Sequence, residues 1–146
     1  MQSITIQQVF VGTPEYRQVY ELRNELLRKP LGLSLDNEDL GQDEHDIILA
    51  AFGADDIAGC LMLTHKDNDT VKFRQMAVAQ QMQGQGIGRM LLLEAQRICT
   101  EKQYRKVVLH ARATAAEFYA RMGYTITSGL FTEVGIPHYV MEKEIG

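Results

Sequence analysis

The segment Gln83-Gly84-Gln85-Gly86-Ile87-Gly88 joins an apolar stretch, residues 71–78, to a helical pattern. The apolar stretch has the length and composition of a buried strand. After Gly86, apolar residues recur at the spacing of an amphipathic helix, at Ile87, Met90, Leu91, Ala95 and Ile98. A glycine-rich turn between a strand and a helix can bind phosphate, because the first N–H groups of the helix are free and its dipole favours an anion. The segment therefore predicts an anion-binding turn.

Two common phosphate-binding motifs do not fit this turn. A dinucleotide-binding turn has the pattern GxGxxG, but after Gly84 and Gly86 the third glycine position is Arg89, whose side chain would crowd the packing of helix on strand. A nucleoside-triphosphate loop requires a Gly-Lys pair, which the sequence lacks. The glycines alone leave two interpretations open: a tight turn with a purely structural role, or a site for another phosphate ligand.

The patterns on either side of the turn predict helices packed on a mixed sheet. Further strands are predicted at residues 4–11, 47–52, 57–64, 106–109, 124–127 and 139–143. Thr13 is predicted to cap a helix that begins at Pro14 and ends before Pro30. The acidic segment 34–46 shows weak periodicity and is predicted to form a surface loop or a short helix.

A last helix is predicted after the strand at residues 106–109. Thr114 and Glu117 have the spacing of a capping box, which predicts a helix from about Ala115. Gly123 stands where a left-handed glycine would end this helix.

The composition is typical of one globular domain, predicted to span residues 1–146. Of these residues 45% are hydrophobic and 23% are charged. A net charge of -4 argues against nucleic acid as a partner. No stretch approaches the roughly 18 apolar residues of a membrane span, and the N-terminus lacks a signal-peptide pattern, so we expect no membrane association and a cytoplasmic protein. Cys60 and Cys99 lack the paired spacing of a zinc or redox motif and are predicted to be reduced core thiols.

Several motifs together resemble the GNAT family of N-acetyltransferases. Its pattern (Gln/Arg)-x-x-Gly-x-(Gly/Ala) is matched by Gln83, Gly86 and Gly88. Met76-Ala77-Val78 is similar to the end of the family's fourth strand, although the proline often found at the position of Ala79 or Gln80 is absent. The stretch Ala116-x-Phe118-Tyr119-x-x-Met122-Gly123-Tyr124 resembles the family's second signature. The tail Phe131-x-Glu133-x-Gly135-Ile136-Pro137-His138 further resembles the ElaA-like branch.

This resemblance implies a fold and a donor. The fold would be α/β, with a central mixed, mostly antiparallel, twisted sheet of about six to seven strands flanked by helices. The cosubstrate would be acetyl-coenzyme A, with no metal. Its pyrophosphate would be received by backbone N–H groups of the turn, from Gln83, Gly84, Gln85, Gly86, Ile87, Gly88 and Arg89. The edge of the strand at Met76, Ala77 and Val78 would pair with the pantetheine arm, and an N–H there would polarise the thioester carbonyl.

The resemblance also implies a proton donor. Tyr119 would protonate the leaving thiolate as an amine attacks. The other interpretation of Tyr119 is a core residue, because it lies in an apolar helical stripe. The two cysteines lie outside the matched motifs, which argues against a covalent acyl-enzyme.

The general base and the acceptor stay open at this level. His110 is one candidate for the base, and Glu133 with His138 is another; each has a structural alternative. Arg74 and Arg112 could hold an anionic part of a substrate or form ordinary salt bridges. The predicted acceptor is a small-molecule or peptide amine, and a homodimer is compatible with the sequence. The rival functions are a non-catalytic acyl-coenzyme A binding module, an acyltransferase that acts on a hydroxyl or uses a longer acyl chain, and a structural or interaction protein of the same fold.

Overall fold

The computed structural model describes residues 3–54 and 56–146, and in that part of the chain one sheet of eight strands packs with three α-helices. The elements in chain order are β1 (Thr5–Val9), α1 (Pro14–Leu27), β2 (Ile47–Phe52), β3 (Ile57–His65), β4 (Thr70–Val78), α2 (Ile87–Glu101), β5 (Lys106–Arg112), α3 (Ala116–Arg121), β6 (Thr125–Ile126), β7 (Phe131–Glu133) and β8 (Ile136–Glu144). Short 3-10 turns connect several of them.

The sheet is mixed and mostly antiparallel, as predicted. Its order is β1-β2-β3-β4-β5-β8-β6, with β7 paired to β8. The parallel pair is β4 with β5, and all other pairs are antiparallel. Parallel neighbours need a long crossover connection, which α2 provides here. The crossover places the predicted glycine-rich turn at the carboxyl end of β4.

The two long helices cover opposite faces of the sheet. Ile87 and Leu91 of α2 lie against β3 at Gly59, where a methyl group would sit 3.0 Å from Cγ2 of Ile87. Neighbouring residues of a strand face opposite sides, and the next residue, Cys60, lies beside Arg23 of α1. The core between these layers is formed by apolar side chains of α2 and the central strands. Among the described residues, no helix is both long and apolar enough to span a bilayer.

The starts of α1 and α3 lie where they were predicted, to within one residue, but the cap of α3 differs from its prediction. The Tyr16 N–H donates to the Thr13 side chain at 3.2 Å, and Pro14 is the first helical residue. Helix α3 begins at Ala116, and the residue before it is Ala115, whose methyl group cannot accept a hydrogen bond; Thr114 lies in a 3-10 turn over Ala113–Ala115. The predicted capping box of Thr114 and Glu117 is therefore wrong.

Two further predictions need correction. The sheet has eight strands rather than six or seven, because β7 forms a hairpin with β8 in a region predicted to be a loop. The segment 34–46 consists of 3-10 turns, but it is not purely a surface element: Asp43 is 2% exposed. An ionised carboxylate is buried at such a position only when it is paired, and its partners lie next to the candidate site.

Candidate active site

A gap opens between β4 and β5 at the middle of the sheet. The two strands pair only from Thr70 with Lys106 to Phe73 with Leu109, although each continues for several residues beyond. The cause lies in β4, where a bulge shifts the register to β3 and Gln75 has a positive φ of 59°. A bulge bends its strand and interrupts pairing. The last part of β4 therefore has a free edge towards β5.

Val78 turns its backbone N–H towards this gap. The N–H of Ala79 donates to the carbonyl of Ala58 in β3 at 2.8 Å. Successive residues of an extended chain present their N–H groups on alternate sides, so the N–H of Val78 points away from β3. Ala77 is paired with Cys60 in the sheet. Of the three predicted strand residues, Val78 and Met76 thus face the gap, and Ala77 faces β3.

The glycine-rich turn presents free N–H groups directly after this edge. Gly84 and Gly86 have φ values of 81° and 80°, a conformation that glycine adopts without strain. Gly86 is the N-cap of α2 and makes no side-chain capping bond; the first intrahelical bond runs from Met90 N–H to Gly86 O at 3.0 Å. The N–H groups at the first three helical positions therefore have no acceptor within the helix.

The side chains of the turn contribute little to this site. Gln83 donates from Nε2 to the carbonyl of Val78 at 3.2 Å, which ties the turn to β4. Gln85 and Arg89 are exposed, and Ile87 is buried in the core. The turn can therefore contact a ligand mainly through its backbone.

Helix α3 brings Tyr119 to the site through contact with the start of α2. A methyl group on Gly88 would lie 3.4 Å from Cζ of Phe118 and 3.8 Å from Cγ2 of Val78. The Tyr119 ring packs edge-on against Phe118 and Tyr124, with centroids 5.1 and 5.9 Å apart. Burial raises the pKa of Tyr119 to about 12. Its hydroxyl has no hydrogen-bond partner within residues 3–54 and 56–146, so it is a neutral donor open to a ligand.

His110, Glu133 and His138 meet on the other side of the gap. His110 is the first residue of β5 beyond the last pair with β4. Its Nδ1 lies 2.8 Å from Oε1 of Glu133, and its ring packs edge-on against Phe131. No described residue bonds its Nε2. A neutral imidazole whose Nδ1–H donates to a carboxylate carries its lone pair on Nε2, so His110 can accept a proton there.

His138 has a supporting position within this group. It is 4% exposed, and its Nδ1 lies 2.9 Å from the Ile136 carbonyl, which makes Nδ1 the donor. Its Nε2 is 3.7 Å from Oε2 of Glu133. Lys72 of β4 also faces Glu133; burial lowers the pKa of Lys72, and the carboxylate opposes that shift. Glu133 is thus surrounded by three basic side chains, and His110 has the accessible ring nitrogen.

A buried ion network supports the bulge of β4. Arg23 donates from Nη1 to Oδ2 of Asp43 at 2.8 Å and from Nε to Oε1 of Gln75 at 3.3 Å. Arg74 contacts Asp43 at 3.0 Å and Asp46 at 2.8 Å. The two arginines balance the two carboxylates, and each buried charge has a partner. The network fastens α1 and the 3-10 turn at Gly41–His45 to the strand that lines the gap.

Removal of Asp43 should destabilise the protein strongly. Asp43→Ala leaves the Arg23 charge buried without its carboxylate, so we expect the free energy of unfolding to fall by about 3–5 kcal/mol. Glu21→Ala breaks the exposed pair with Arg17 and should cost less than about 1 kcal/mol. Urea unfolding of both variants measures the difference. Similar losses in the two variants would mean that the buried network contributes no special stability.

The loss of stability in Asp43→Ala relative to wild type should depend on pH. Burial raises the pKa of Asp43, but hydrogen bonds from Tyr16 and Arg23 and the charges of Arg23 and Arg74 outweigh it and hold the pKa below 3.8. The stabilisation is therefore complete above pH about 4 and is lost as the pH falls through the folded-state pKa. The difference in the free energy of unfolding between wild type and Asp43→Ala should therefore decrease as the solution is made more acidic.

Sequence reasoning missed Arg23, Asp43 and Asp46 as parts of the site. Their side chains come from a helix face and an acidic segment that carry no motif, so no pattern pointed to their pairing. One signal was available: the acidic segment directly precedes a buried strand, where a carboxylate can reach the sheet.

Comparison with known proteins agrees with this geometry. Residues 32–145 match the model of the acetyltransferase (GNAT) domain. The chain therefore belongs to the GNAT family of acetyltransferases, as its motifs predicted. YyaT of Bacillus subtilis is 36% identical over 76 residues, which are 52% of this chain and 51% of YyaT. The chain thus spans about half the length of that relative.

Two further relatives cover more of the chain. ElaA of Escherichia coli is 26% identical over 114 residues, 76% of this chain and 73% of ElaA. Its crystal structure, matched over 99% of this chain and 100% of that one at 19% identity, has a TM-score of 0.83. The predicted likeness to ElaA is thereby confirmed. A GNAT acetyltransferase from Elizabethkingia anophelis, solved with acetyl-coenzyme A bound, is 26% identical with a TM-score of 0.72 and 97% coverage of both chains.

Proposed function

We propose that the protein transfers the acetyl group of acetyl-coenzyme A to a primary amine by direct attack. The observation that carries this proposal is the free edge of β4, which is followed, after one 3-10 turn at Gln80–Met82, by the turn of unpaired N–H groups at Gly86. An extended arm bearing amides fits the edge as an added strand, and a pyrophosphate fits the turn. Acetyl-coenzyme A has both parts in this order, and the relative from Elizabethkingia anophelis binds it.

The thioester would then lie in the gap between β4 and β5. There the N–H of Val78, which points away from β3, would donate to the carbonyl oxygen of the thioester and stabilise the negative charge of the tetrahedral intermediate. Tyr119 approaches from the side of α2 and α3, and His110 from the side of α1. The donor and the acceptor would therefore meet in the gap from opposite faces of the sheet.

In the proposed reaction, His110 accepts a proton on the acceptor side of the gap and Tyr119 donates one on the donor side. An amine at His110 gives a proton to Nε2, and its freed lone pair attacks the acetyl carbon. The new C–N bond forms, and the C–S bond breaks as the intermediate collapses. The departing thiolate takes the proton of the Tyr119 hydroxyl. The new amide leaves the intermediate protonated on nitrogen and returns that extra proton to the tyrosinate through solvent, while His110 releases its proton to solvent. The products are an N-acetyl amine and free coenzyme A.

The cysteines support direct attack over a covalent acyl-enzyme. Both are buried and unpaired, and burial raises the pKa of Cys60 and of Cys99 to about 12. A thiol in that condition is a poor nucleophile at neutral pH.

A screen for acetyl transfer tests the proposal. The protein is incubated with acetyl-coenzyme A and a panel of amines, polyamines, amino sugars, amino acids and peptides, with thiol release and product mass as readouts. We expect at least one amine to gain a single acetyl group. Calorimetric binding of acetyl-coenzyme A with no transfer to any amine would instead favour the non-catalytic binding module, and transfer only to hydroxyls would favour an O-acetyltransferase.

His110→Gln should lower kcat/KM about 100-fold at neutral pH if His110 is the base. The loss in kcat/KM should become smaller as the pH approaches the pKa of the amine, roughly 10 for an alkyl amine, because solvent then removes the proton of the ammonium group. His110 contacts Glu133, which also interacts with Lys72 and His138, and these three groups are unchanged in this variant. His65→Gln, an exposed histidine at the far end of β3, is the matched control and should keep full activity. A deficit that stays constant with pH would contradict a role as base.

A further inference from the structure

The two arginines near the gap differ in their partners. Arg74 is held by two carboxylates, those of Asp43 and Asp46. Arg112, at the end of β5, lies close to no carboxylate among the described residues. Its single hydrogen bond runs from Nη2 to the carbonyl of Leu27 in α1, at 3.5 Å. A guanidinium carries five N–H donors, so most of those of Arg112 have no acceptor in residues 3–54 and 56–146.

The surroundings of Arg112 destabilise the charged form of its side chain. The Leu27 carbonyl already accepts a bond from Nη1 of Arg28 at 3.0 Å, so two guanidiniums share one acceptor. Arg28 is itself paired with Glu38, whose oxygens lie 2.6 and 3.3 Å from its nitrogens, whereas Arg112 has no such partner among the described residues. Partial burial and the charge of Arg28 lower the pKa of Arg112. A half-buried cation with a like charge beside it would be stabilised by an anion from outside the chain.

Arg112 lies on the same side of the sheet as the proposed base. It is two residues from His110 on β5, so both side chains project from one face about 7 Å apart. It stands directly opposite His138 on β8. This face is the one covered by α1, whereas the turn and α3 lie on the other face. An anion bound by Arg112 would therefore belong to the acceptor and not to coenzyme A.

We propose that Arg112 binds an anionic group of the acceptor, so that the substrates are short amines that also carry a carboxylate or a phosphate. This inference rests on the proposed function and names the acceptor class of the same site. The guanidinium would bind the anion through two parallel N–H bonds while His110 takes the proton of the amine. Free amino acids, with a carboxylate a few bonds from the nitrogen, are the simplest members of this class, and phosphorylated small amines are the other source of the same chemistry.

Matched acceptors test the inference. The rate of acetyl transfer is compared for amino acids against their amides and for O-phosphoethanolamine against ethanolamine. We expect wild type to prefer the anionic member of at least one pair. Arg112→Gln should lower kcat/KM for that member about 10- to 100-fold and leave its neutral partner unchanged. Arg112→Lys should retain part of the preference. Arg105→Gln removes an exposed arginine at the opposite end of β5 and should change neither rate.

Three results would overturn the inference. One is an equal loss for anionic and neutral acceptors, the second is a preference of wild type for neutral amines, and the third is weaker binding of acetyl-coenzyme A by Arg112→Gln. The melting temperature of each variant separates these results from unfolding. Calorimetric titration of the anionic amines into protein saturated with coenzyme A tests the anion site separately from acetyl transfer. Binding that depends on Arg112, without acetyl transfer, would overturn the proposed acetylation and keep the inference about Arg112. Absence of binding would overturn the inference about Arg112.

Discussion

Gly86→Asp is expected to weaken the binding of acetyl-coenzyme A at least 100-fold. A Cβ atom on Gly86 would meet no atom within 4 Å beyond its chain neighbours, so a side chain has room at this N-cap, next to the free N–H groups of α2. The carboxylate would compete for those N–H groups and repel the pyrophosphate, and like charges in contact at a binding site cost several kcal/mol. Calorimetric titration of acetyl-coenzyme A into wild type and variant measures the loss.

Gly86→Asn separates the charge from the backbone strain. Asparagine and aspartate have nearly the same shape, and both tolerate the left-handed conformation that Gly86 adopts at φ 80° better than other side chains do. We expect Gly86→Asn to lose clearly less affinity than Gly86→Asp, with similar melting temperatures. If Gly86→Asp bound acetyl-coenzyme A as tightly as wild type does, the pyrophosphate would not bind at this turn.

The elements that carry the donor side could be predicted because their signals are local. The strand, the glycine pair and the amphipathic helix lie within one short stretch of chain, and the structure has all three where the pattern placed them. Gly123 also has the expected positive φ, 95°, after α3. Such features depend on neighbouring residues, whose spacing is visible in one sequence.

The hairpin of β7 and β8 could not be predicted because its turn lacks the residues that usually mark a two-residue hairpin turn. Val134 and Gly135 join the two strands, and both have positive φ, 46° and 79°. Two-residue hairpin turns of this kind usually have Asn-Gly, and a β-branched residue at the first position is rare because its side chain is strained there. Without that hairpin, nothing in the sequence brought Glu133 to His110.

The acceptor side was undetermined for a related reason. Its residues come from α1, the acidic segment, β5 and the last hairpin, which are far apart in the chain. Sequence alone treated Arg74 and Arg112 alike. The fold distinguishes Arg74, which has carboxylate partners, from Arg112, which has none in the part of the chain that the structure describes. Pairing between distant charges depends on tertiary packing, which has no local pattern.

The two sides of the gap therefore differ in how they recognise a ligand. The proposed donor side would use backbone N–H groups of β4 and α2, which any sequence with the right turn can supply. The proposed acceptor side would use two side chains, that of His110, which is bonded to Glu133, and that of Arg112. Substitutions on the acceptor side should alter which amine is used, and substitutions on the donor side should affect all acceptors equally.

Tyr119→Phe should lower kcat by roughly 10²- to 10⁴-fold, with little change in stability. The variant removes one oxygen that makes no bond within the described part of the protein, so the packing of the ring against Phe118 and Tyr124 is kept. Because burial raises the pKa of Tyr119 to about 12, the hydroxyl stays protonated over the usual assay range. The loss in kcat should therefore be constant from pH 6 to pH 10.

Tyr124→Phe is the matched control and should give the opposite result. Its hydroxyl donates to Oε1 of Gln96 at 2.8 Å, so the variant loses a hydrogen bond and should cost about 1 kcal/mol in urea unfolding, with kcat near wild type. The two tyrosines pack against each other, and they differ in whether the protein already uses the hydroxyl. Full activity in Tyr119→Phe would make Tyr119 a packing residue and leave the departing thiolate to be protonated by water.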